Sequence, residues 1–351
     1  LHLGTFLAAI SQLGGVAMKR REMLWGLPAA AVATWLSRQF GSSALADAPK
    51  SKAIPRRKLG RTGELVSMVG LGGYHIGIQS DPKESIRIIR TALDQGINFL
   101  DNCWDYNDGQ SEIRMGQALR DGYRDKAFLM TKIDGHSREA AARQIDESLR
   151  RLQTDHVDLL QVHEVIRPTD PDRVFAPGGS MEAILAAKKA GKLRFVGFTG
   201  HKSGLIHKQM LDTAAKHDFR FDTVQMPLNV MDHHDAGFEK IVLPMLVEQE
   251  IGVLGMKPLG SGIILKSGKV SPIECLHYAM SLPTSVVITG CDSPKILQQA
   301  LIAARTFRPL TEPARNALLA KTRDASNAKK FELYKTSGQF DGTDNNPEWL
   351  G

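Results

Sequence analysis

The chain has 351 residues, 42% of them hydrophobic and 24% charged, with a net charge of +7 at pH 7. That balance belongs to a globular protein long enough to bury one large core or two ordinary ones, and it excludes a disordered or fibrous chain. The three cysteines (Cys103, Cys275, Cys291) form no CxxC and no regular spacing. That argues against both a disulfide scaffold and a structural zinc or iron–sulfur site.

Leu1 to Ala17 precede Met18, a candidate start, and are read as an untranslated flank. Residues 18–46 have the layout of a cleavable export signal: a basic start, an apolar stretch from Met23 to Leu36, and small residues at Ala44-Leu45-Ala46. Arg20-Arg21, just ahead of the apolar stretch, resemble a twin-arginine signal, read by the translocation machinery that exports folded proteins. The stretch is too short and interrupted for a membrane span. The expectation is a bacterial periplasmic protein with no stable membrane insertion after cleavage, or a cytoplasmic one if the segment is not a working signal. Residues 47–56, with the basic "PKSKAIPRRK" cluster, are expected to form a linker arm. No basic face interleaved with aromatics follows, which argues against a nucleic-acid partner.

From Glu64 onward, short apolar runs alternate with stretches of helical period, and the alternation counts to eight. The predicted strands are "LVSMVGLGG", "NFLD", "AFLMTKI", "VDLLQVHE", "RFVGFTG", "TVQMPL", "GVLGMKPLG" and "SVVITG". Helices are predicted over 83–96, 111–121, 138–152, 180–192, 205–218, 238–250, 272–282 and 294–307, several starting after a serine and two ending at Gly96 and Gly191. Runs apolar on both faces imply parallel strands covered by helices, so the fold class is α/β. Eight units close naturally as a (β/α)8 TIM barrel over 57–330. An open doubly wound sheet is the weaker alternative, because "GLGGYHIG" lacks the glycine spacing and following acid of a dinucleotide fingerprint. Residues 331–351 are polar and Gly/Asn-rich, and a flexible, loosely packed tail is expected there.

In a barrel of this kind chemistry sits at the C-terminal strand ends. Strand two ends in Asp101, with Tyr106 one loop-length on; strand three ends in Thr131-Lys132; strand four ends in Gln161-Val162-His163-Glu164. A carboxylate, a phenol, an ammonium and an imidazole thus converge on one mouth. Taken singly, each has a structural explanation as a rim charge or a hydrogen-bonded core residue. Together they suit the protonation of an oxygen. A free tyrosine has a pKa of about 10, and Lys132 is expected to lower it, while Asp101 holds the lysine and His163 orients a carbonyl oxygen. No nucleophile is evident, so the attacking species is expected to be a cofactor's hydride.

These residues resemble the aldo-keto reductase family, from "RRKLGRTGELVSMVGLGG" to "LQQALIAARTF". "LGRTGELVS" is similar to the N-terminal β-hairpin that plugs the barrel bottom there, and the family's Asp-Tyr-Lys-His tetrad falls on Asp101, Tyr106, Lys132 and His163. The resemblance implies NADPH or NADH bound across the strand ends, with a slight preference for NADPH and no metal. It assigns Gln225 and Thr199 to the nicotinamide carboxamide, with Gly200 and His201 beside them. Met256, Lys257, Pro258, Leu259 and Gly260 form the end of strand seven on the cofactor side, and Gly290, Ser293, Lys295 and Gln299 belong to the segment that holds the adenosine phosphates. Three departures stand out. Gly200 replaces the usual asparagine, Met256 replaces the stacking tyrosine, and Ile296 stands where many NADPH users carry Arg.

Tyr74, Trp104, Met231 and His233 are candidate walls of the substrate pocket, with His75 and His234 near them. The His233-His234 pair lacks a carboxylate at ligand spacing and is read as a pocket-wall pair rather than a metal site. The resulting expectation is an exported, monomeric oxidoreductase passing hydride between a nicotinamide and a small carbonyl or alcohol, with Tyr106 as acid or base. The rival from another class is a cofactor-binding redox sensor or accessory subunit with little turnover.

Overall fold

The computed structural model describes residues 53–235 and 237–351. The export signal, the candidate start and most of the linker arm lie outside the described residues. No described helix is long and apolar enough to cross a membrane.

Two short strands, β1 (Arg56–Lys58) and β2 (Leu65–Ser67), pair antiparallel as a hairpin with Arg57 opposite Val66. Eight parallel strands follow: β3 (Val69–Gly72), β4 (Phe99–Leu100), β5 (Phe128–Ile133), β6 (Val157–Val162), β7 (Leu193–Thr199), β8 (Thr223–Pro227), β9 (Gly252–Met256) and β10 (Val286–Gly290). Each pairs with its sequence neighbour, and β10 pairs with β3 to close the barrel. The expected (β/α)8 architecture with its N-terminal hairpin is the fold. The run read as one first strand is two, separated at Met68. An apolar string carries no mark of where a hairpin strand hands over to a barrel strand.

The barrel interior is a packed core of Phe99, Phe128, Met130, Leu159, Leu254, Val286 and Ile288, closed at the bottom by Leu59 and Val66 of the hairpin. With the interior filled at that end, the chemistry of such a barrel belongs to the opposite, C-terminal strand ends. The hairpin also recruits the last residues of the expected arm: Arg56 lies in β1 and Ile54 is buried, so the fold begins before residue 57.

Helix starts obey cap chemistry. Ser137, Ser203 and Ser293 each accept a backbone N–H of the helix they open, and Ser271 forms a full capping box with Glu274. The predicted helix over 238–250 is two, Phe238–Ile241 and Leu243–Glu248, because Pro244 supplies no N–H to continue the first. A further helix, Glu312–Asn327, lies outside the eight, and its Thr322 hydroxyl donates to the Val230 carbonyl at 3.3 Å.

The segment 331–351 departs most from expectation. Tyr334, Asp341, Thr343 and Leu350 are buried. The Leu350 carbonyl accepts the N–H groups of His136 and Ser137 at 2.9 and 3.0 Å, and Lys335 Nζ meets Asp232 at 2.6 Å. Tyr334 donates to Glu332 (2.7 Å) and accepts from Asn229 (2.8 Å). The segment therefore ties together the loops that follow β5, β6, β7 and β8. Its hold is polar, which is why a polar composition misleads.

Candidate active site

Lys132 is the hub of the mouth. Its Nζ donates to Asp101 Oδ1 at 2.5 Å, to the Asn102 carbonyl at 2.7 Å and to Tyr106 Oη at 3.1 Å, using all three N–H bonds. Lys132 and Asp101 are both buried, so each charge requires the other. Neighbouring Thr131 donates to Glu112 at 2.6 Å, which braces β5 beside the lysine and gives a role to the Ser111-Glu112 pair trailing the tyrosine segment. The His163 ring stands edge-on to Tyr106 with centroids 5.8 Å apart, and Tyr74 also meets the phenol ring edge-on at 5.6 Å. All four tetrad residues are brought together.

Electrostatics correct one expectation. Burial, reinforced by Asp101, Cys103, Asp105 and Glu164, pushes the Tyr106 phenol well above its usual value. Lys132 does not reverse this, because its charge is already paired with Asp101. The phenol is held protonated rather than poised to ionise.

A second cluster, missed in the sequence, backs His163. Its Nδ1 lies 2.8 Å from Asp134 Oδ1, 3.2 Å from Cys103 Sγ and 3.7 Å from Asp105 Oδ1. These four ligand-type atoms fall within 4.8 Å of one another. The 2.8 Å contact is a hydrogen bond, shorter than the roughly 3.3 Å separating two ligands on one tetrahedral zinc ion. The cluster is thus arranged around a proton. The available signal was the "KID" spacing, which puts Asp134 on the same strand face as Lys132.

On the far side of the mouth, Thr199 and Gln225 are register partners on β7 and β8, and Met256 Sδ lies 4.0 and 3.6 Å from their polar tips. Gln225 Oε1 accepts from Gln161 (2.6 Å), the register partner of Lys132, so this cluster abuts the tetrad. Among the described residues the Gln225 amide nitrogen has only the thioether as acceptor, a weak one. It fits a nicotinamide carboxamide. Gly200 cannot rebuild the asparagine contact, since a Cβ there would lie 2.3 Å from the Val165 carbonyl oxygen.

His201 is not turned to this site: its Nε2 lies 2.8 Å from Asp341 Oδ1. Lys257 projects toward the Phe340 ring, 4.6 Å from its centre, and burial lowers its ammonium to about 8. Pro258, Leu259 and Gly260 form the turn behind it, with Gly260 at φ +55°. A Cβ on Gly290 would meet the His75 ring at 2.0 Å. Ser293 caps the helix Pro294–Thr306, on which Lys295 is exposed and Gln299 half-buried.

The proposed walls fare unevenly. Tyr74 is 53% exposed beside Tyr106 and belongs to the mouth. Trp104 donates to Glu147 at 2.6 Å and meets Trp349 edge-on at 5.6 Å, so it anchors the C-terminal segment. Met231 is buried in the core, and His233 and His234 are tied to Glu239 and Thr322 at 2.9 Å each. The 3-10 turn Asp232–His234 packs on the Glu312–Asn327 helix, which is additional to the eight predicted ones.

The closed barrel, the filled bottom and a carboxylate–lysine–tyrosine–histidine mouth define a class of hydride-transfer barrel. The aldo/keto reductase family model matches residues 68–274, and the chain belongs to that family of NAD(P)-dependent oxidoreductases. Aldo-keto reductase YhdN of Bacillus subtilis is 32% identical over 229 residues, 60% of this chain and 63% of that protein. L-galactose dehydrogenase of Arabidopsis thaliana is 31% identical over 228 residues, 61% of this chain and 68% of that one. The holo form of aldo-keto reductase AKR11C1 from Bacillus halodurans shares the fold with TM-score 0.65 at 22% identity, covering 76% of this chain and 96% of its own.

Proposed function

We propose that the protein reduces an aldehyde or ketone, or oxidises the matching alcohol or sugar, with Tyr106 as the group that gives or takes the proton. The observation that carries this is the Lys132 ammonium bonded to both Asp101 and the Tyr106 hydroxyl. The reduced nicotinamide supplies a hydride to the carbonyl carbon when bound. Thr199 and Gln225 would hold its carboxamide, Met256 would lie against the ring, and the segment from Gly290 to Gln299 would take the phosphates. Tyr106 delivers its proton to the carbonyl oxygen as that oxygen gains charge. Lys132, 3.1 Å away, meets the phenolate left behind until solvent returns the proton. A well-placed acid of this kind contributes about 10²–10⁴-fold.

NADPH is preferred over NADH in this reading, with exposed Lys295 serving in place of an arginine at Ile296. Residues 18–46 direct export through twin-arginine translocation, and the protein acts as a periplasmic monomer carrying tightly held cofactor. The L-galactose dehydrogenase likeness extends the reading to sugars in the oxidative direction.

The test is oxidation of NADPH and NADH by the chain with a panel of aldehydes and ketones, alongside Tyr106→Phe. Turnover lost in the variant, with cofactor affinity kept, supports carbonyl reduction. Cofactor binding without turnover in either direction would favour the sensor. Fractionation of cells making the full chain, with Arg20→Lys/Arg21→Lys beside it, tests export.

A further inference from the structure

The environment of His163 fixes how many protons its ring must carry. Asp134 Oδ1 lies 2.8 Å from Nδ1, and an ionised carboxylate can only accept. Nδ1 therefore bears a hydrogen. Among the described residues, Nε2 has no hydrogen-bond partner, and it is not among the fully buried unpaired atoms. A neutral ring protonated at Nδ1 leaves Nε2 as a bare acceptor. A carbonyl oxygen is also an acceptor, so the neutral ring has nothing to offer it. Only the imidazolium donates from both nitrogens.

We propose that Asp134, backed by Asp105, is a positioning residue that locks the His163 ring through Nδ1 and keeps it a two-proton imidazolium, with Nε2–H presented to the substrate oxygen. This rests on reading His163 as the carbonyl's hydrogen-bond donor.

The surrounding charges support it from each side. The loop after β4 contributes Cys103, Asp105 and the neutral Tyr106. β5 and the residue after it contribute Lys132 and Asp134; Glu164 follows on β6, and Lys257 follows β9. Lys132 is fully engaged by Asp101, Asn102 and Tyr106, and Glu164 is bound by Gly342 and Thr343. Asp134 Oδ2 and Asp105 Oδ1 are buried with no partner among the described residues. Two unmatched carboxylates thus face one imidazole. Burial alone would lower the His163 pKa, but Asp134 and Asp105 overcome it and raise it to about 9. Burial and Asp134 in turn push the Asp105 carboxyl up to about 7. The charged ring is therefore the form present through the neutral range.

The test is nitrogen-15 NMR of histidine side chains in the full chain, without substrate or cofactor, from pH 6 to 10. The His163 signals are assigned by their absence in His163→Gln. The expected result is two protonated ring nitrogens at pH 7.5, with a midpoint well above the ordinary value of about 6.5. Asp134→Asn keeps an acceptor at the same place but removes the charge, and should lower the midpoint by about 1–2 units. Carbonyl reduction by that variant should then fall about tenfold at pH 8.5 and hardly at all at pH 6. A wild-type ring that is neutral at pH 7.5, with its proton on Nδ1 alone, overturns the proposal, and that spectrum needs no variant to fold. An imidazolium in a protein that reduces no carbonyl would support the clamp and sink the carbonyl reading instead.

Discussion

Glu164 is clasped by Thr343: one carboxylate oxygen accepts both the backbone N–H and the hydroxyl of that threonine, each at 2.7 Å, while Gly342 N–H takes the other oxygen at 2.9 Å. Glu164 itself sits at φ +46°, a left-handed conformation uncommon for a non-glycine residue. The end of β6 and the C-terminal segment thus fix each other.

Glu164→Ala should free residues 338–350 and cost about 1.5–3 kcal/mol, the range for hydrogen bonds to a charged group. Hydrogen exchange read over that segment checks it; unchanged protection there would refute the clasp. The pH sign is definite. Burial opposes the Glu164 charge, but His163, His201 and Thr343 outweigh it and lower its pKa. Its contribution is complete above the unfolded value of about 4.3 and fades as pH falls through the lower folded value.

Lys132→Met should destabilise the protein by about 3–5 kcal/mol, because Asp101 would stay buried without a counter-charge. Adding Asp101→Asn should recover part of that loss while activity stays absent. Urea unfolding of the two variants distinguishes this from simple loss of a catalytic group: equal midpoints would mean that Asp101 finds another partner.

Gly290→Ala places a methyl where the His75 ring lies, at 2.0 Å from Nδ1. The expected cost is about 1–3 kcal/mol from overpacking, along with weaker nicotinamide binding as the β10 end shifts. His75→Ala combined with it should restore stability. Thermal melts of the single and double variants decide the matter, and additive losses would count against a direct clash.

His207 is buried between Phe198 and Phe238, with Nε2 3.3 Å from the Gln225 carbonyl. Burial lowers its pKa to about 4. The unfolded chain takes up a proton near pH 6.5 that the folded chain refuses until about 4, so stability is full above 6.5 and falls by about 3 kcal/mol on the way down. His207→Phe should flatten that acid limb in denaturant titrations between pH 6.5 and 4. A limb of unchanged depth would assign it elsewhere.

The barrel and the tetrad were legible because their signals are local and periodic. Short apolar runs give parallel strands, and Asp101, Lys132 and His163 each end one. What escaped notice depends on partners far apart in the chain. That the expected Asp101–Lys132 pair would leave Tyr106 in negative surroundings follows from distances rather than from residue types. Asp105 and Asp134 meet His163 only after β4, β5 and β6 are side by side. Met231 and His233 are withdrawn from any pocket by the helix Glu312–Asn327, which packs on their turn and whose sequence names no partner. The C-terminal segment reads as loose because Asp341, Thr343 and Glu332 are polar, yet each is buried by a specific bond.

The long-range clasp also separates two moments in the making of the molecule. The eighth strand is complete at Gly290, but the N–H groups of His136 and Ser137 find their acceptor only once Leu350 exists. At ribosomal speeds of about 5–20 residues per second, the intervening stretch of roughly sixty residues takes about 3–12 s to emerge. During that interval the nascent barrel can be finished while its rim is still unlaced.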